Sequence, residues 1–367
     1  MGLGSPAIME SPVGAEIVID GRAYVNFAGS SYLGLAGVPE ILAAGAEALR
    51  TNGSGYQLAR QYNITTRGHE DAEREAAAYF GTEAALYLAG GYFFGLVVFT
   101  AIREDFDAIF LDERAHHCLR DGAAASGLPL HTFRHRDPVD LKSQLRKTLR
   151  GKEKPAIVTD GLYSTFGELA PLDELAEVAA EFDGRLVVDE SHSFGVFGAL
   201  GRGAWEHFRV HPSQVLAGGS TSKALGVVGG IIPGTSEEIE KLRNSPASRG
   251  ASHGLPAAAA MCAASLRYIR RHPELRERLH TNTRRLKSGL RRIGLSVSDN
   301  LAPVATLLTA PDRSMQALRN ELMAEGICVL HSNYIGSGDR GVIRCGIFAD
   351  HTPEHIDRLL EALCRLL

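Results

Sequence analysis

Short apolar runs alternate with helical segments through the middle of the chain, and this alternation excludes most fold classes. The runs have three or four residues, most are followed directly by aspartate or glycine, and they are Ala85–Leu88, Ala108–Leu111, Ala156–Thr159, Leu186–Val188 and Val215–Ala217. Strands that are apolar on both faces are typical of a parallel sheet covered by helices on both sides. We therefore predict an α/β fold with a mostly parallel sheet, and ligands beyond the carboxyl ends of its strands.

The two ends of the chain follow a different pattern. Residues 16–26 predict a hairpin around Gly21-Arg22, and helices are expected at 39–51, 69–80 and 171–182. After residue 245 helices dominate, at 257–271 and 273–293, and a last helix begins at Thr352-Pro353 with an apolar stripe formed by Ile356, Leu359, Leu360, Leu363 and Leu367. We predict three parts: an arm and hairpin at 1–44 that contributes to a small domain, a large domain at 45–245, and a smaller C-terminal α+β domain at 246–367.

Charge and hydropathy exclude several functions. The 367 residues include 39 Lys and Arg against 43 Asp and Glu, a net charge of -4, which argues against nucleic acid or anionic membrane as the main partner. The longest apolar stretch, Tyr92 to Ile102, has about half of the ~20 residues that a membrane helix needs. No basic region precedes an apolar one at the N-terminus, so we expect a cytoplasmic protein without a membrane span. The five cysteines are widely spread and form no CxxC pair, so neither a disulfide framework nor a metal site is expected.

Four polar features follow neighbouring strands in the predicted sheet. Asp189 ends one strand, His192 comes three residues later, and Ser220 and Lys223 lie in the turn GGSTSKALG after the next strand. A lysine in such a turn can form an imine with a carbonyl when its amine is neutral. An aspartate can hold a proton on a heterocyclic nitrogen, and hydroxyls with backbone N–H groups at a helix N-terminus suit a phosphate. Together these are the requirements of pyridoxal 5′-phosphate (PLP).

Each feature alone has a simpler interpretation. An aspartate at a strand end is more often a helix cap than a cofactor ligand, and a lysine in a Gly/Ser turn is commonly just solvated. Phosphate-loop NTPases also place a lysine in a Gly-rich turn, but their GxxxxGK[ST] pattern is absent from this sequence. The order and spacing of the four features favour PLP over these alternatives.

Five segments resemble the α-oxoamine synthases, PLP enzymes of fold type I that include 8-amino-7-oxononanoate synthase and serine palmitoyltransferase. They are NFAGSSYLGL (26–35), DERAHHCLRDG (112–122), VTDGLYSTFGELAPL (158–172), VVDESHSFGVFGALGRG (187–203) and STSKALGVVGG (220–230). The resemblance extends over roughly residues 15–365. It implies an aminotransferase-like large domain with a smaller C-terminal domain, and a homodimer with shared active sites. It also implies a biosynthetic acyltransferase that condenses an amino acid with an acyl thioester, on coenzyme A or a carrier protein, and releases carbon dioxide and an α-amino ketone.

The resemblance implies a role for each matching residue at the cofactor ring. Lys223 carries the cofactor as an imine and moves the Cα proton of the substrate. Asp189 pairs with the pyridine nitrogen, and His192 donates to the ring hydroxyl. His116 stacks on the ring, although its neighbour His117 is an alternative by register.

Further roles concern the phosphate and the substrate. The remaining positions implied by the resemblance are Gly91, Tyr92 and Ser220 at the phosphate, Ser164 near the ring hydroxyl, Ser252 at the phosphate of a neighbouring subunit, Arg344 at the amino-acid carboxylate, and Ser30 and Arg60 on the substrate side. Arg60, Ser164 and Arg344 also have purely structural interpretations.

The substrate side departs from the family pattern. The segment Gly29–Gly34 lacks the usual asparagine, and Phe93 and Phe94 stand where small residues are usual. Two alternatives therefore stay open: another PLP reaction on the same fold, such as transamination, and a PLP-fold partner subunit without turnover.

Overall fold

The structure, a computed structural model, describes residues 6–308 and 313–367. Its strands in chain order are β1 (Glu16–Ile19), β2 (Arg22–Asn26), β3 (Ala84–Leu88), β4 (Ala108–Asp112), β5 (Leu130–Phe133), β6 (Pro155–Asp160), β7 (Leu162–Tyr163), β8 (Glu168–Leu169), β9 (Arg185–Asp189), β10 (Val215–Ser220), β11 (Gly230–Gly234), β12 (Val304–Leu307), β13 (Ile327–Cys328), β14 (Leu330–Ser332) and β15 (Val342–Gly346). Its helices are α1 (Pro39–Asn52), α2 (Arg67–Phe80), α3 (Phe93–Ile102), α4 (His117–Ser126), α5 (Pro138–Thr148), α6 (Leu172–Glu181), α7 (Ala204–His207), α8 (Ser236–Arg243), α9 (Pro246–Arg249), α10 (Pro256–Arg271), α11 (Glu274–Arg292), α12 (Met315–Ala324) and α13 (Pro353–Leu366).

A seven-stranded sheet organises the larger of two units. The strand order is β3-β11-β10-β9-β6-β4-β5, and the pairs β10·β9, β9·β6, β6·β4 and β4·β5 are parallel. β11 is antiparallel to both β3 and β10. The predicted mostly parallel sheet is therefore confirmed. β5 and β11 escaped prediction, because LHTF is half polar and GIIPG contains glycine and proline, which weaken a strand signal.

Both faces of this sheet are buried under helices, as the apolar strands predict. Successive residues of β4 alternate between two clusters: Ile109 packs with Val98 of α3 on one face, and Phe110 packs with Leu141 of α5 on the other. In β9, Val187 packs in the same cluster as Ile109, and its neighbour Leu186 packs in the same cluster as Phe110. Because side chains alternate across a strand, a run without polar residues requires an apolar layer on each side.

The smaller unit holds two three-stranded sheets, β1-β2-β13 and β12-β15-β14. The hairpin β1–β2 is confirmed, but its turn lies at Asp20-Gly21, one residue before the predicted pair. These residues have φ of 47° and 73°, as a tight two-residue hairpin turn requires. Thr352 caps α13 as predicted, and its stripe is buried except for Leu367, which is 50% exposed at the helix end.

Chain contacts divide the molecule into two units. The large unit is Pro39–Tyr163 with Leu169–His272, and the small unit comprises the described residues of Met1–Val38, Ser164–Glu168 and Pro273–Leu367. α10 belongs to the large unit because it packs against α1 and α2, whereas the sequence pattern suggested a boundary near residue 245. Among the described residues, no helix is both long and apolar enough to cross a bilayer.

Candidate active site

Polar side chains collect at the carboxyl edge of the large sheet. β4, β6 and β9 end in Asp112, Asp160 and Asp189, and the neighbouring β10 ends in Ser220. Asp160 and Asp189 lie opposite each other in the parallel register of β6 and β9. Parallel strands bring their carboxyl ends to one edge, so residues distant in sequence meet there.

Asp189 is held by two donors on its two carboxylate oxygens. The backbone N–H of Ser191 donates to Oδ1 at 2.9 Å, and the Cys118 thiol donates to Oδ2 at 3.3 Å. Asp189 is only 5% exposed. Sequence reasoning did not single out Ser191 or Cys118, although Cys118 stands two residues after His116 in a segment that it did quote.

His116 caps the N-terminus of helix α4, and its side chain lies near the same carboxylate. Its Nδ1 accepts from the backbone N–H of Cys118 at 3.2 Å, and its own backbone N–H donates to Oδ2 of Asp160 at 3.0 Å. Side-chain atoms of His116, Cys118 and Asp189 lie within 4.8 Å of one another. His117 is exposed. The structure therefore turns His116, not His117, toward Asp189.

The charges of the site are set by burial. Burial, and then the neighbouring charge of Asp189, raises the pKa of Asp160 well above its usual value. The pKa of His116 is lowered, mainly by burial, which outweighs the opposing effect of Asp189; the charge of Lys223 lowers it further.

Lys223 lies in a turn that is stabilised by hydrogen bonds between neighbouring residues. Thr221 donates from its backbone N–H to the Gly229 carbonyl at 3.0 Å and from its hydroxyl to the Val227 carbonyl at 2.7 Å. The backbone N–H of Gly226 donates to the Lys223 carbonyl at 3.1 Å. Lys223 is half-buried, and so is His192, which follows Ser191 in the turn after β9. The lysine therefore emerges from an ordered turn between β10 and β11.

A narrow cradle lies where β3 leads into α3. A Cβ atom on Gly91 would lie 2.3 Å from Cβ of Ser220, so only glycine allows this approach. The backbone N–H of Ser220 donates to Oγ of Ser191 at 2.8 Å, and its hydroxyl pairs with Ser222 at 2.6 Å. Gly91 and Tyr92 directly precede α3, where backbone N–H groups favour an anion. An acid, a lysine and an anion cradle at one edge fit the chemical groups of PLP.

Tyr92 adds an aromatic side chain beside His116. The two ring centroids are 6.0 Å apart in an edge-to-face arrangement, and the Tyr92 hydroxyl donates to Asp121. The Tyr92 ring is 54% exposed. Tyr92 therefore stands at the open side of the cradle.

Ser252 and Arg60 are engaged by the loops of their own unit. Ser252 donates from Oγ to the Tyr56 carbonyl at 2.8 Å. Arg60, only 8% exposed, donates from Nη2 to the Tyr87 carbonyl at 2.8 Å and lies 3.5 Å from Glu73. Burial lowers the pKa of Arg60 to about 10. The roles predicted for both residues stay predictions.

Arg344, Ser30 and Ser164 meet in the small unit. Nε of Arg344 donates to the Ser164 carbonyl at 2.7 Å, and Nη1 donates to the Gly29 carbonyl at 2.8 Å. Nη2 donates to Ser30 Oγ at 3.3 Å and to Tyr32 Oη at 3.2 Å. The sequence predicted Arg344, Ser30 and Ser164 as site residues. It did not predict that Ser164 accepts a hydrogen bond from Arg344 through its carbonyl.

Comparison with known proteins gives consistent matches. Residues 22–363 match the family model described as aminotransferase class I and II. An 8-amino-7-oxononanoate synthase of Cellvibrio japonicus is 32% identical over 362 residues, covering 97% of this chain and 90% of that relative. A serine palmitoyltransferase of Caulobacter vibrioides is 33% identical over 349 residues, covering 94% and 86%. The solved Sphingomonas wittichii serine palmitoyltransferase superposes with a TM-score of 0.92 at 28% identity, covering 98% of this chain and 91% of that one.

Proposed function

Because the chain belongs to the α-oxoamine synthases, PLP-dependent acyltransferases of the aminotransferase class I and II family, we propose that the residues at the carboxyl edge of the large sheet form its active site. This membership confirms the predicted family, cofactor and reaction class, the condensation of an amino acid with an acyl thioester. One observation carries the proposal: Asp189, His116 and the Lys223 turn lie together at that edge, beside the Gly91–Ser220 cradle.

The cofactor would be held by residues that the fold itself positions. When bound, PLP supplies an electron-withdrawing ring that stabilises negative charge at the substrate Cα. The Asp189 carboxylate, oriented by Ser191 and Cys118, holds the proton of the ring nitrogen. Gly91, Tyr92 and Ser220 bind the phosphate at the start of α3, and His192 donates to the ring hydroxyl.

Lys223 and His116 act on the reacting side. The Lys223 amine, once released from the cofactor, takes the Cα proton of the amino acid and returns it later. Burial lowers the pKa of His116, which favours the uncharged ring. An uncharged ring can stack on the cofactor without repelling the Lys223 cation.

Recognition of the substrate is assigned to the small unit and to Arg60. The Arg344 guanidinium binds the amino-acid carboxylate, supported by Ser30 and by the segment that contains Ser164. Arg60 is the second substrate-side residue. The name serine palmitoyltransferase makes serine and a palmitoyl thioester one pair to test, and glycine and alanine are the other amino acids to include.

Thiol release from acyl thioesters tests this function. The protein is mixed with PLP, one acyl-CoA of short, medium or long chain, and serine, glycine or alanine, and free thiol is measured. One combination is expected to release thiol only when the amino acid is present, and Lys223→Ala should lose this activity and the absorbance of lysine-bound cofactor. Amino-acid-dependent keto-acid turnover without thiol release would instead identify a transaminase. Cofactor absorbance without any turnover would identify a partner subunit.

A homodimer is the proposed assembly, with Ser252 directed to the neighbouring site. Ser252 forms a bridge with Ala59, and exposed apolar side chains lie close by in sequence: Tyr62 at 60%, Ile64 at 53% and Leu255 at 41% exposure. Burial of such side chains against a second copy would remove apolar surface from water. Sedimentation equilibrium should give twice the chain mass of 39.4 kDa.

The five cysteines are free thiols, which supports the predicted cytoplasmic location, and cell fractionation tests it.

A further inference from the structure

Cys118 lies against the carboxylate assigned to the cofactor nitrogen. Its thiol donates to Oδ2 of Asp189 at 3.3 Å, and the residue is 2% exposed. We propose that Cys118 is a positioning residue that orients Asp189 and tunes its negative charge for PLP. The proposal rests on the function assigned above to Asp189.

The backbone of α4 fixes where this sulfur lies. A Cβ atom on Gly95 of α3 would lie 2.2 Å from the Cys118 carbonyl oxygen, and one on Gly122 would lie 2.2 Å from the carbonyl carbon of Gly95. The two helices are therefore in direct backbone contact at this point. His116, whose Nδ1 accepts from the Cys118 N–H, belongs to the same turn. The thiol thus has a defined position from which to orient the carboxylate.

The surroundings keep the thiol protonated. Burial raises the pKa of Cys118 far above its usual value, and the charges of Asp189 and Asp160 raise it further. The group is consequently an S–H donor and not a thiolate. The ligand atoms of Cys118, His116 and Asp189 lie within 4.8 Å of one another, so the protonated thiol is close enough to hydrogen-bond the carboxylate.

A thiol affects the carboxylate differently from a hydroxyl. Oδ1 of Asp189 accepts from the strong backbone donor of Ser191, whereas Oδ2 accepts from the weaker S–H donor of Cys118. Oδ2 is therefore oriented while keeping most of its negative charge. A strong donor at the same place would withdraw more charge, and the carboxylate would hold a proton on the ring nitrogen less firmly.

Two variants and one control test this role. The affinity of the apoprotein for PLP is measured by titration, and the absorbance of the bound cofactor is followed against pH. Cys118→Ala should weaken PLP binding by about tenfold, because one hydrogen bond to a charged group is lost. Cys118→Ser should bind PLP within about threefold of wild type. The midpoint of the pH-dependent change in the absorbance of its bound cofactor should be lower than that of wild type by about half a unit. Cys328→Ala, at a buried cysteine of the small unit, should change neither quantity.

The outcomes separate this inference from the proposed function. If Asp189→Asn leaves PLP affinity and the pH midpoint unchanged, the role proposed for Asp189 is wrong. If Asp189→Asn changes them but Cys118→Ala binds PLP as tightly as wild type, only the Cys118 proposal is overturned. If circular dichroism shows that Cys118→Ala does not fold, Cys118→Ser decides, and an unshifted midpoint overturns the proposal.

Discussion

Arg344, proposed to bind the amino-acid carboxylate, is held by its own unit. All three guanidinium nitrogens donate to groups of the small unit: the carbonyls of Ser164 and Gly29, and the hydroxyls of Ser30 and Tyr32. The side chain is only 6% exposed. A planar guanidinium can make these divergent contacts, which the single ammonium group of a lysine cannot do from one position.

Replacing Arg344 by lysine should therefore impair both stability and substrate binding. We expect Arg344→Lys to lower the free energy of unfolding by about 2 kcal/mol, because buried acceptors lose their donors. The KM for the amino acid should rise about tenfold or more. Urea unfolding and initial-rate kinetics measure the two effects. Arg358→Lys, at an exposed arginine that donates to the Glu325 carbonyl, is the control, and an equal loss there would contradict the assignment.

His351 makes stability depend on pH. Its Nε2 donates to the Asn26 carbonyl at 2.8 Å, and its Nδ1 accepts from the Phe348 N–H at 3.0 Å. The bond at Nδ1 requires the neutral ring, whereas Nε2 can donate in either protonation state. Burial lowers the pKa of His351 to about 4. Because the folded pKa lies below the unfolded value of about 6.5, this contribution is present above pH 6.5 and is lost as pH falls toward 4.

The contribution of His351 amounts to about 3 kcal/mol at most, from the difference between the two pKa values. We expect His351→Gln to be less stable than wild type at pH 7.5 and to approach it at pH 4.5. Guanidinium unfolding at several pH values measures the difference. A constant gap between the two proteins over this range would show that His351 does not titrate as described.

At the level of elements, the crossing of α3 and α4 positions the site. Both helices approach through Gly95 and Gly122, whose backbones are in contact. The cradle lies at the N-terminus of α3, and His116 lies at the N-terminus of α4. The separation of the two helices therefore sets the distance between the cradle and His116. A side chain at this crossing has no space into which to relax.

Gly95→Ala should force the two helices apart. We expect a loss of about 2 kcal/mol or more in unfolding free energy and weaker PLP binding, since the new methyl meets the Cys118 carbonyl. Gly45→Ala in the middle of α1 is the matched control, because its methyl meets the flexible Met261 side chain and removes a poor helix former. Thermal unfolding of both variants compares them, and equal effects would argue against a tight crossing.

For the molecule as a whole, cofactor binding should couple to stability. A ligand that binds only the folded state stabilises it by about 2.7 kcal/mol at one hundred times its Kd. PLP should therefore raise the Tm of the apoprotein, and Lys223→Ala should show a smaller shift, because the covalent link is lost.

Pyridoxal without the phosphate is the control for the cradle. Since Gly91 and Ser220 are proposed to bind the phosphate, pyridoxal should raise the Tm less than PLP at the same concentration. Equal shifts for the two compounds would contradict the proposed cradle. Differential scanning calorimetry with each ligand measures both Tm values.

The local sequence pattern was sufficient to predict those features whose structure depends on residues nearby in the chain. The apolar strands, the Thr352 cap and the order Asp189, His192, Lys223 could be interpreted directly, because strand burial, capping and turn chemistry depend on nearby residues. These features already indicated the cofactor, and the family resemblance then indicated the reaction class. β11 and β5 could not be predicted, because their pairing with other strands, and not their own residues, makes them strands.

Contacts between distant segments required the folded chain. The thiol of Cys118 meets Asp189 across 71 residues, and Arg344 meets Ser164 across 180. The sequence around Cys118 and around Arg344 does not indicate these partners. Hydrogen bonds between remote groups depend on how strands and helices are packed. The same packing turns His116 rather than His117 toward the carboxylate, which the register of the sequence alone left open.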